Sequence, residues 1–461
     1  MPLRGRAVTA AHPTGTRNPD VLNLAPPDWL QPGNDAAVAF AADTGAFISA
    51  TDFWSAVAAL RVRLTGQGEV VNLCESRLRF VQLFAAALLR RRTTLLPASH
   101  APQAIAELIG AYPGCVTLGD AQTAAVATED VFPTAEPPPD FVAAIGHTSG
   151  STGRPAAYAK AWGGFCATTA LNAEAIRATL PESTASQRPW IVATVPPQHM
   201  YGLEMTVLLP LLAGFGIHGG RPLMPADVAA ALGQVPPPRV LVSTPVHLRT
   251  LVESGVTFPD VAVVVSATAP LSQRLAQQLE QHMHASLLEM FGSTETCVVA
   301  TRRTAQQARW HTYPGIELEP IESGTLVRAP WLPREQLLHD IVELHDDRSF
   351  TVIGRHGDLV EIAGKRASLA DLTRRLGGLP GVEDAVVFQA PAGREGEIRR
   401  CAALVVAPGH SAREIARRFR EQVDAAFVPR PLVVVPSLPR NELGKLPLNQ
   451  LLRLLAEARS R

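Results

Sequence analysis

Several short segments combine residue types that can hold phosphate, a metal ion or a carboxylate. Residues 147–155 (HTSGSTGRP) pack glycines and hydroxyl groups behind an apolar run, FVAAIG. Such a loop bends tightly, presents backbone N–H groups and offers hydroxyls to phosphate oxygens. It is not a Walker P-loop, because Gly153 is followed by Arg154 and Pro155 where that pattern needs Lys and then Ser or Thr. Taken alone it reads as a Gly/Ser surface turn. Residues 291–295 (FGSTE) follow the strand-like SLLEM and set a carboxylate beside a hydroxyl, a pairing suited to Mg²⁺ and a triphosphate, or to an ordinary turn with a solvated Glu.

Three further segments belong with these. Residues 196–202 (PPQHMYG) place His199 directly after a buried strand, where a histidine is either functional or simply packed. Residues 265–271 (VSATAPL) are small enough for a flat ring to lie against the backbone, and equally natural as a tight strand-to-helix turn. Residues 438–451 (LPRNELGKLPLNQL) put Lys445 between Gly444 and a helical tail, on an expected exposed loop where a lysine is ordinarily a solvated charge.

The elements that must position these groups follow from the hydrophobic pattern. VVNLC (70–74) and TTLLP (93–97) each precede an apolar-periodic segment, the first running through Phe80, Phe84 and Leu88. That rhythm predicts βαβ units and a mostly parallel sheet. WIVATV (190–195), RVLVS (239–243) and VAVVVS (261–266) read as buried strands with helices between them. Arg90 to Arg92 lie where a helix should end and complement its dipole. The Pro-rich residues 131–140 read as an internal linker, and residues 338–358 alternate like a hairpin ending in Gly-Arg. After Gly354 the elements shorten into a small α+β domain, with Ser411 and Glu414 forming a capping box ahead of Ile415, Phe419 and Val423.

At 461 residues the chain predicts two or three packed units. Lys plus Arg balance Asp plus Glu at 42 each, so no global field draws it to nucleic acid or an anionic membrane, and any phosphate-binding charge must be local. The cysteines lack metal-ligand or disulfide-framework spacing and fit a reducing cytoplasm. The longest apolar stretch, 205–217, contains Pro210, Gly214 and Gly216 and is too short to span a bilayer.

In their order and spacing, over roughly residues 70 to 450, these segments resemble the adenylate-forming enzymes: acyl- and aryl-CoA synthetases, peptide-synthetase adenylation domains and luciferases. The resemblance implies an α/β fold, with a large domain over 1–354 made of parallel-sheet subdomains and a small mobile α+β domain over 355–461. It implies that Thr148, Ser149, Gly150, Ser151, Thr152 and Gly153 wrap the β- and γ-phosphates. His199 would line the acid pocket, Ser266, Ala267 and Thr268 would receive adenine, and Phe291 would pack on its aromatic side. Thr294 would contact the α-phosphate and Glu295 would bind magnesium. Asp340 and Arg355 would hold the ribose, Gly357 would be the hinge, and Gly364 and Arg366 would meet the pantetheine thiol. Lys445 would be the adenylation lysine.

The implied activity is ATP-dependent conversion of a carboxylic acid to acyl-AMP, then transfer to coenzyme A or to the phosphopantetheine of an acyl carrier protein. The text of the motifs looks most like compact acyl/aryl ligases of aryl-polyene and related polyketide clusters, which implies a hydroxylated aromatic acid or a medium acyl chain. Departures are visible: Ala156 stands where relatives carry a loop lysine, leaving Arg154 or Lys160 as substitutes, and Gly357 replaces a charged hinge residue. The alternative is a catalytically lapsed, nucleotide-binding scaffold.

Overall fold

The computed structural model describes residues 37–42, 44–97, 102–123, 137–148, 156–355, 359–362, 365–389, 400–423, 425–440 and 446–459. The continuous apolar runs become the centre of an eleven-stranded sheet, where Ser286–Ser293, Val263–Ser266, Arg239–Ser243, Trp190–Ala193 and Gly216–His218 lie side by side in parallel. Val240, Val242, Val263 and Val265 are completely buried, as expected of strands covered on both faces. Beyond Ser286–Ser293 the sheet turns antiparallel through Cys297–Arg302, Trp310–Thr312, Ser349–Arg355 and Asp340–Asp346. The hairpin expected at 338–358 is this last pair.

A second, five-stranded sheet carries Val70–Asn72, Thr94–Leu96, Val116–Leu118 and Val142–Thr148 in parallel, closed by antiparallel Ala156–Ala161. The helix Arg77–Leu89 packs between the sheets through Phe80, Leu83 and Phe84, all buried. It stops at Arg90, and Arg92 folds back to donate to the carbonyls of Gly68, Thr65 and Glu69. The basic run is therefore a helix end.

The C-terminal part is smaller and built on period-two alternation. In Asp384–Gln389 and Cys401–Val406, Ala385, Val387, Cys401, Ala403 and Val405 face the helices Leu369–Gly377 and Ala412–Arg420. The alternate residues Val386, Phe388, Ala402, Leu404 and Val406 face Leu448–Arg459. Ser411 caps its helix by accepting from Glu414 N at 3.3 Å. Most of the Pro-rich segment, residues 131–136, lies outside the described residues.

Candidate active site

Parallel strands end on one edge, and the chemistry-bearing segments leave from that edge. His199, Thr268 and the Thr294–Glu295 turn follow the carboxyl ends of three strands of one sheet, the position where open α/β sheets bind ligands. His199 caps the short helix Met200–Leu203, its Nδ1 accepting from Tyr201 N at 3.3 Å. Tyr201 in turn donates its hydroxyl to the carbonyls of Ser243 and Val265, pinning the His199 segment to the two neighbouring strand ends. Gly202 is required here, because a Cβ would fall 1.9 Å from Pro196 O.

Two arginines fix the strand end from which His199 departs. Arg77 is fully buried and donates to Ala193 O at 2.9 Å, Val195 O at 2.8 Å and Thr206 Oγ1 at 2.7 Å. Burial, reinforced by the charge of Arg221, pulls its pKa down to about 9. Arg221 donates to the intervening Thr194 O. Thr194 Oγ1, Ser243 Oγ and His247 Nδ1 form a polar cluster at the same edge, at 2.8 and 3.1 Å.

The segment proposed for adenine has a specific geometry. Ser266 is buried and Thr268 adopts φ +79°, a left-handed conformation unfavourable for a β-branched residue. The side-chain oxygens of both are buried without a hydrogen-bond partner among the described residues. Orphaned hydroxyls at a strand's carboxyl end are what a site built for a polar ligand leaves behind, so these residues fit a nucleotide.

The Thr294–Thr296 turn is braced from within and from below. Ser293 Oγ accepts from Glu295 N and Thr296 N, and Thr296 Oγ1 accepts from Ser293 N. Thr296 O accepts from Trp331 Nε1 and Glu295 O from Lys160 Nζ at 2.6 Å. Lys160 is therefore buried beneath the turn, with its ammonium on the Glu295 backbone. Thr294 leans on the root of the glycine-rich segment: a Cβ on Gly146 would meet Thr294 Cγ2 at 2.9 Å and Met200 Cε at 3.1 Å. The half-buried Glu295 carboxylate, beside a hydroxyl and a phosphate-type loop root, suits Mg²⁺, which takes few protein ligands and completes its shell from phosphates.

Phe291 packs on Trp310 and Phe350 at 5.3 and 5.5 Å between centroids, while Arg302 lies over Trp310. Asp340 stands opposite Arg355 in the hairpin register, its carbonyl accepting from Thr325 Oγ1. Arg366 pairs in register with Glu361. Thr148 ends its strand paired with Ala156. Residues 149–153, Gly357, Gly364 and Lys445 lie outside the described residues. Upstream of Lys445, Arg440 makes a bidentate bond to Asp384, which also sits 3.7 Å from Arg249 of the large sheet domain.

Glu204 did not stand out among the motifs. It lies in a π-helical turn, Glu204–Leu208, accepting from Val298 N at 3.1 Å and from Asn172 Nδ2 at 3.4 Å, while Asn172 accepts from Tyr313. Burial pushes its carboxyl up to about 7 against the Val298 amide, the Lys160 charge and the Asn172 amide. Its signal was there: a single carboxylate inside the apolar run 200–213. Burial also pushes the Cys297 thiol up to about 12, which disfavours the thiolate that a nucleophile needs.

The family model for AMP-binding enzymes matches residues 62–319, and that for the AMP-binding enzyme C-terminal domain matches 375–445. The chain belongs to the AMP-binding enzymes. It is similar to a 4-coumarate–CoA ligase of Halorhodospira halophila, 28% identical over 65% of this chain and 73% of that one. It is also similar to the fatty acid–[acyl-carrier-protein] ligase ScoC of Streptomyces coeruleorubidus, 26% identical over 44% of this chain and 47% of the other. Among further curated relatives, a 4-coumarate–CoA ligase of Rhodobacter capsulatus is matched over 59% of its length. The fold is that of ATP-bound MatB from Rhodopseudomonas palustris, with a TM-score of 0.76 at 18% identity over 94% of this chain and 98% of that one. It is likewise that of o-succinylbenzoate CoA synthetase from Bacillus subtilis in complex with ATP and magnesium ion, with a TM-score of 0.71 at 17% identity over 90% and 96%.

Proposed function

We propose that this chain is an acid–thiol ligase that converts a carboxylic acid and ATP to acyl-AMP and pyrophosphate, then passes the acyl group to a pantetheine thiol. One observation carries the reading: at the carboxyl edge of one sheet, the buried hydroxyls of Ser266 and Thr268, unpartnered among the described residues, share the edge with the Thr294–Glu295 turn and the His199 segment. Membership of the AMP-binding enzymes supports the nucleotide as the ligand.

In the first step a carboxylate oxygen attacks the α-phosphorus of ATP, the new O–P bond forms and pyrophosphate leaves. Like charges oppose this approach, so catalysis is positioning and charge neutralisation. Ser149, Ser151 and Thr152, on a loop with Gly150 and Gly153, hold the outer phosphates, with Thr148 at its root. Thr294 holds the α-phosphate. Asp340 and Arg355 hold the ribose, while Ser266, Ala267, Thr268 and Phe291 receive adenine. Glu295 would hold magnesium, which when bound would supply neutralising positive charge to the triphosphate. Lys445 supplies the remainder from the small domain. A domain boundary at 354/355 lets that domain turn about Gly357, withdrawing Lys445 and presenting Gly364 and Arg366 to the thiol. The thiol then attacks the acyl carbon beside His199 and AMP leaves.

A hydroxylated aromatic acid is the substrate class we favour. The Thr194–Ser243–His247 cluster supports a polar substituent, and the coumarate ligases among the relatives support an aromatic one. The acceptor is coenzyme A or an acyl carrier protein, as among those relatives, and we place the reaction in a reducing cytoplasm, in keeping with cysteines that lack disulfide-framework spacing. No helix among the described residues is long and apolar enough to cross a membrane. Mass spectrometry of products from purified protein, ATP, mixed acids, coenzyme A and loaded carrier proteins tests the reading. It predicts one acid class appearing as thioester. Absence of any acid-dependent product supports the scaffold instead.

A further inference from the structure

Beneath the turn that carries Glu295 lies a pair of charged residues that no nucleotide or acid contact accounts for. Lys160 is 7% exposed and Glu204 2% exposed. Lys160 lies on Ala156–Ala161, the strand that leaves the glycine-rich segment, and its ammonium grips the Glu295 carbonyl. Glu204 lies on the helical segment that begins with His199, and its carboxylate grips the Val298 amide on the other limb of the same hairpin. Asn172 and Tyr313 hold Glu204 from behind. The charge of Lys160 is felt both at Glu204 and at the Cys297 thiol between the two grips.

Stability alone does not explain this choice of residues. Taking two charges out of water costs several kcal/mol each, more than a hydrogen bond to one backbone group returns. What two oppositely charged groups supply that an apolar pair cannot is direction: one accepts a backbone N–H and the other donates to a backbone carbonyl. The two limbs of the hairpin are thereby referenced to two different elements, one leading from the phosphate-type loop and one from His199.

We propose that Lys160 and Glu204 are positioning residues for the activation step, setting the Thr294–Thr296 turn so that the Glu295 carboxylate meets the magnesium–nucleotide. The lysine missing after Pro155 is thus not replaced by Lys160 at the phosphates; Lys160 acts through the turn. This inference rests on the reading of Glu295 as the magnesium ligand.

The test uses the full chain and three variants, Lys160→Met, Glu204→Gln and the double Lys160→Met/Glu204→Met. Thermal unfolding without nucleotide is measured first. Calorimetric binding of ATP across a Mg²⁺ titration follows, with thioester formation from supplied acyl-AMP measured last. Lys160→Met alone leaves Glu204 buried beside an unsatisfied carbonyl and can fail to fold, so the double variant decides. It leaves the Glu295 carbonyl and the Val298 amide without these partners, so it is expected to unfold below the wild-type temperature while still folding, and to need about tenfold or more Mg²⁺ for half-maximal ATP binding, the scale of other groups that orient metal ligands. Thioester formation from acyl-AMP should stay close to wild type.

A folded double variant with the wild-type Mg²⁺ requirement overturns the inference and leaves the ligase reading standing. A double variant that cannot fold overturns it as well, because the couple is then structural. If ATP binding to the wild type itself is indifferent to Mg²⁺, the assignment of Glu295 fails and the inference falls with it.

Discussion

Asp340 and Arg355 stand directly opposite one another in the antiparallel hairpin that forms one edge of the large sheet. The hairpin register places an acid and a base as cross-strand neighbours although fourteen residues separate them in the chain. Asp340→Ala is expected to weaken ATP binding by about tenfold or more, the value of hydrogen bonds to a charged acceptor. Isothermal titration of ATP and of inorganic triphosphate separates the cases: only ATP should be affected, because triphosphate has no ribose.

Thr268 combines an unfavourable backbone with a hydroxyl that has no hydrogen-bond partner among the described residues. Thr268→Gly should relieve the left-handed strain and raise stability by about 1 kcal/mol or more. The same change should weaken ATP binding several-fold through loss of one hydrogen bond. Thermal unfolding and ATP titration on one preparation check both signs. A variant that gains stability and binds ATP as tightly as wild type would remove Thr268 from the nucleotide site.

His218 is buried against Phe40 and bonded to Gln234, and burial holds its pKa below the ordinary 6.5. The native state therefore takes up fewer protons than the unfolded chain as the pH falls below 6.5. The stabilisation is complete above that value and is lost as pH falls through the depressed native pKa. His218→Gln removes this dependence. The wild-type stability minus that of the variant, from urea unfolding, should be constant above 6.5 and decline on acidification. Glu204, shifted the opposite way, is present in both proteins and cancels in the difference. Parallel pH curves would contradict the buried, neutral imidazole.

Much of this site was legible because parallel strands end on a common edge. Once 190–195, 239–243 and 261–266 read as buried strands, the motifs behind them had to converge. The capping box at Ser411 and the hairpin before Arg355 were equally readable, since each depends on neighbours in sequence. What escaped the sequence depends on partners far apart. Lys160 looked like a candidate phosphate ligand until the fold set it 2.6 Å from a carbonyl 135 residues away. Arg77, in the first turn of its helix, holds two carbonyls of another sheet more than a hundred residues away. The left-handed turn at Thr268 has no local signal, because threonine rarely adopts it.

In the proposed ligase, one chain runs two half-reactions with different residues. This division is tested most directly by comparing wild type and Lys445→Ala in acid-dependent ATP–pyrophosphate exchange and in thioester formation from pre-made acyl-AMP. Exchange by the wild type, its loss in Lys445→Ala, and largely spared thioester formation are expected. Equal loss of both half-reactions in the variant, or no exchange by the wild type with any acid, would contradict it.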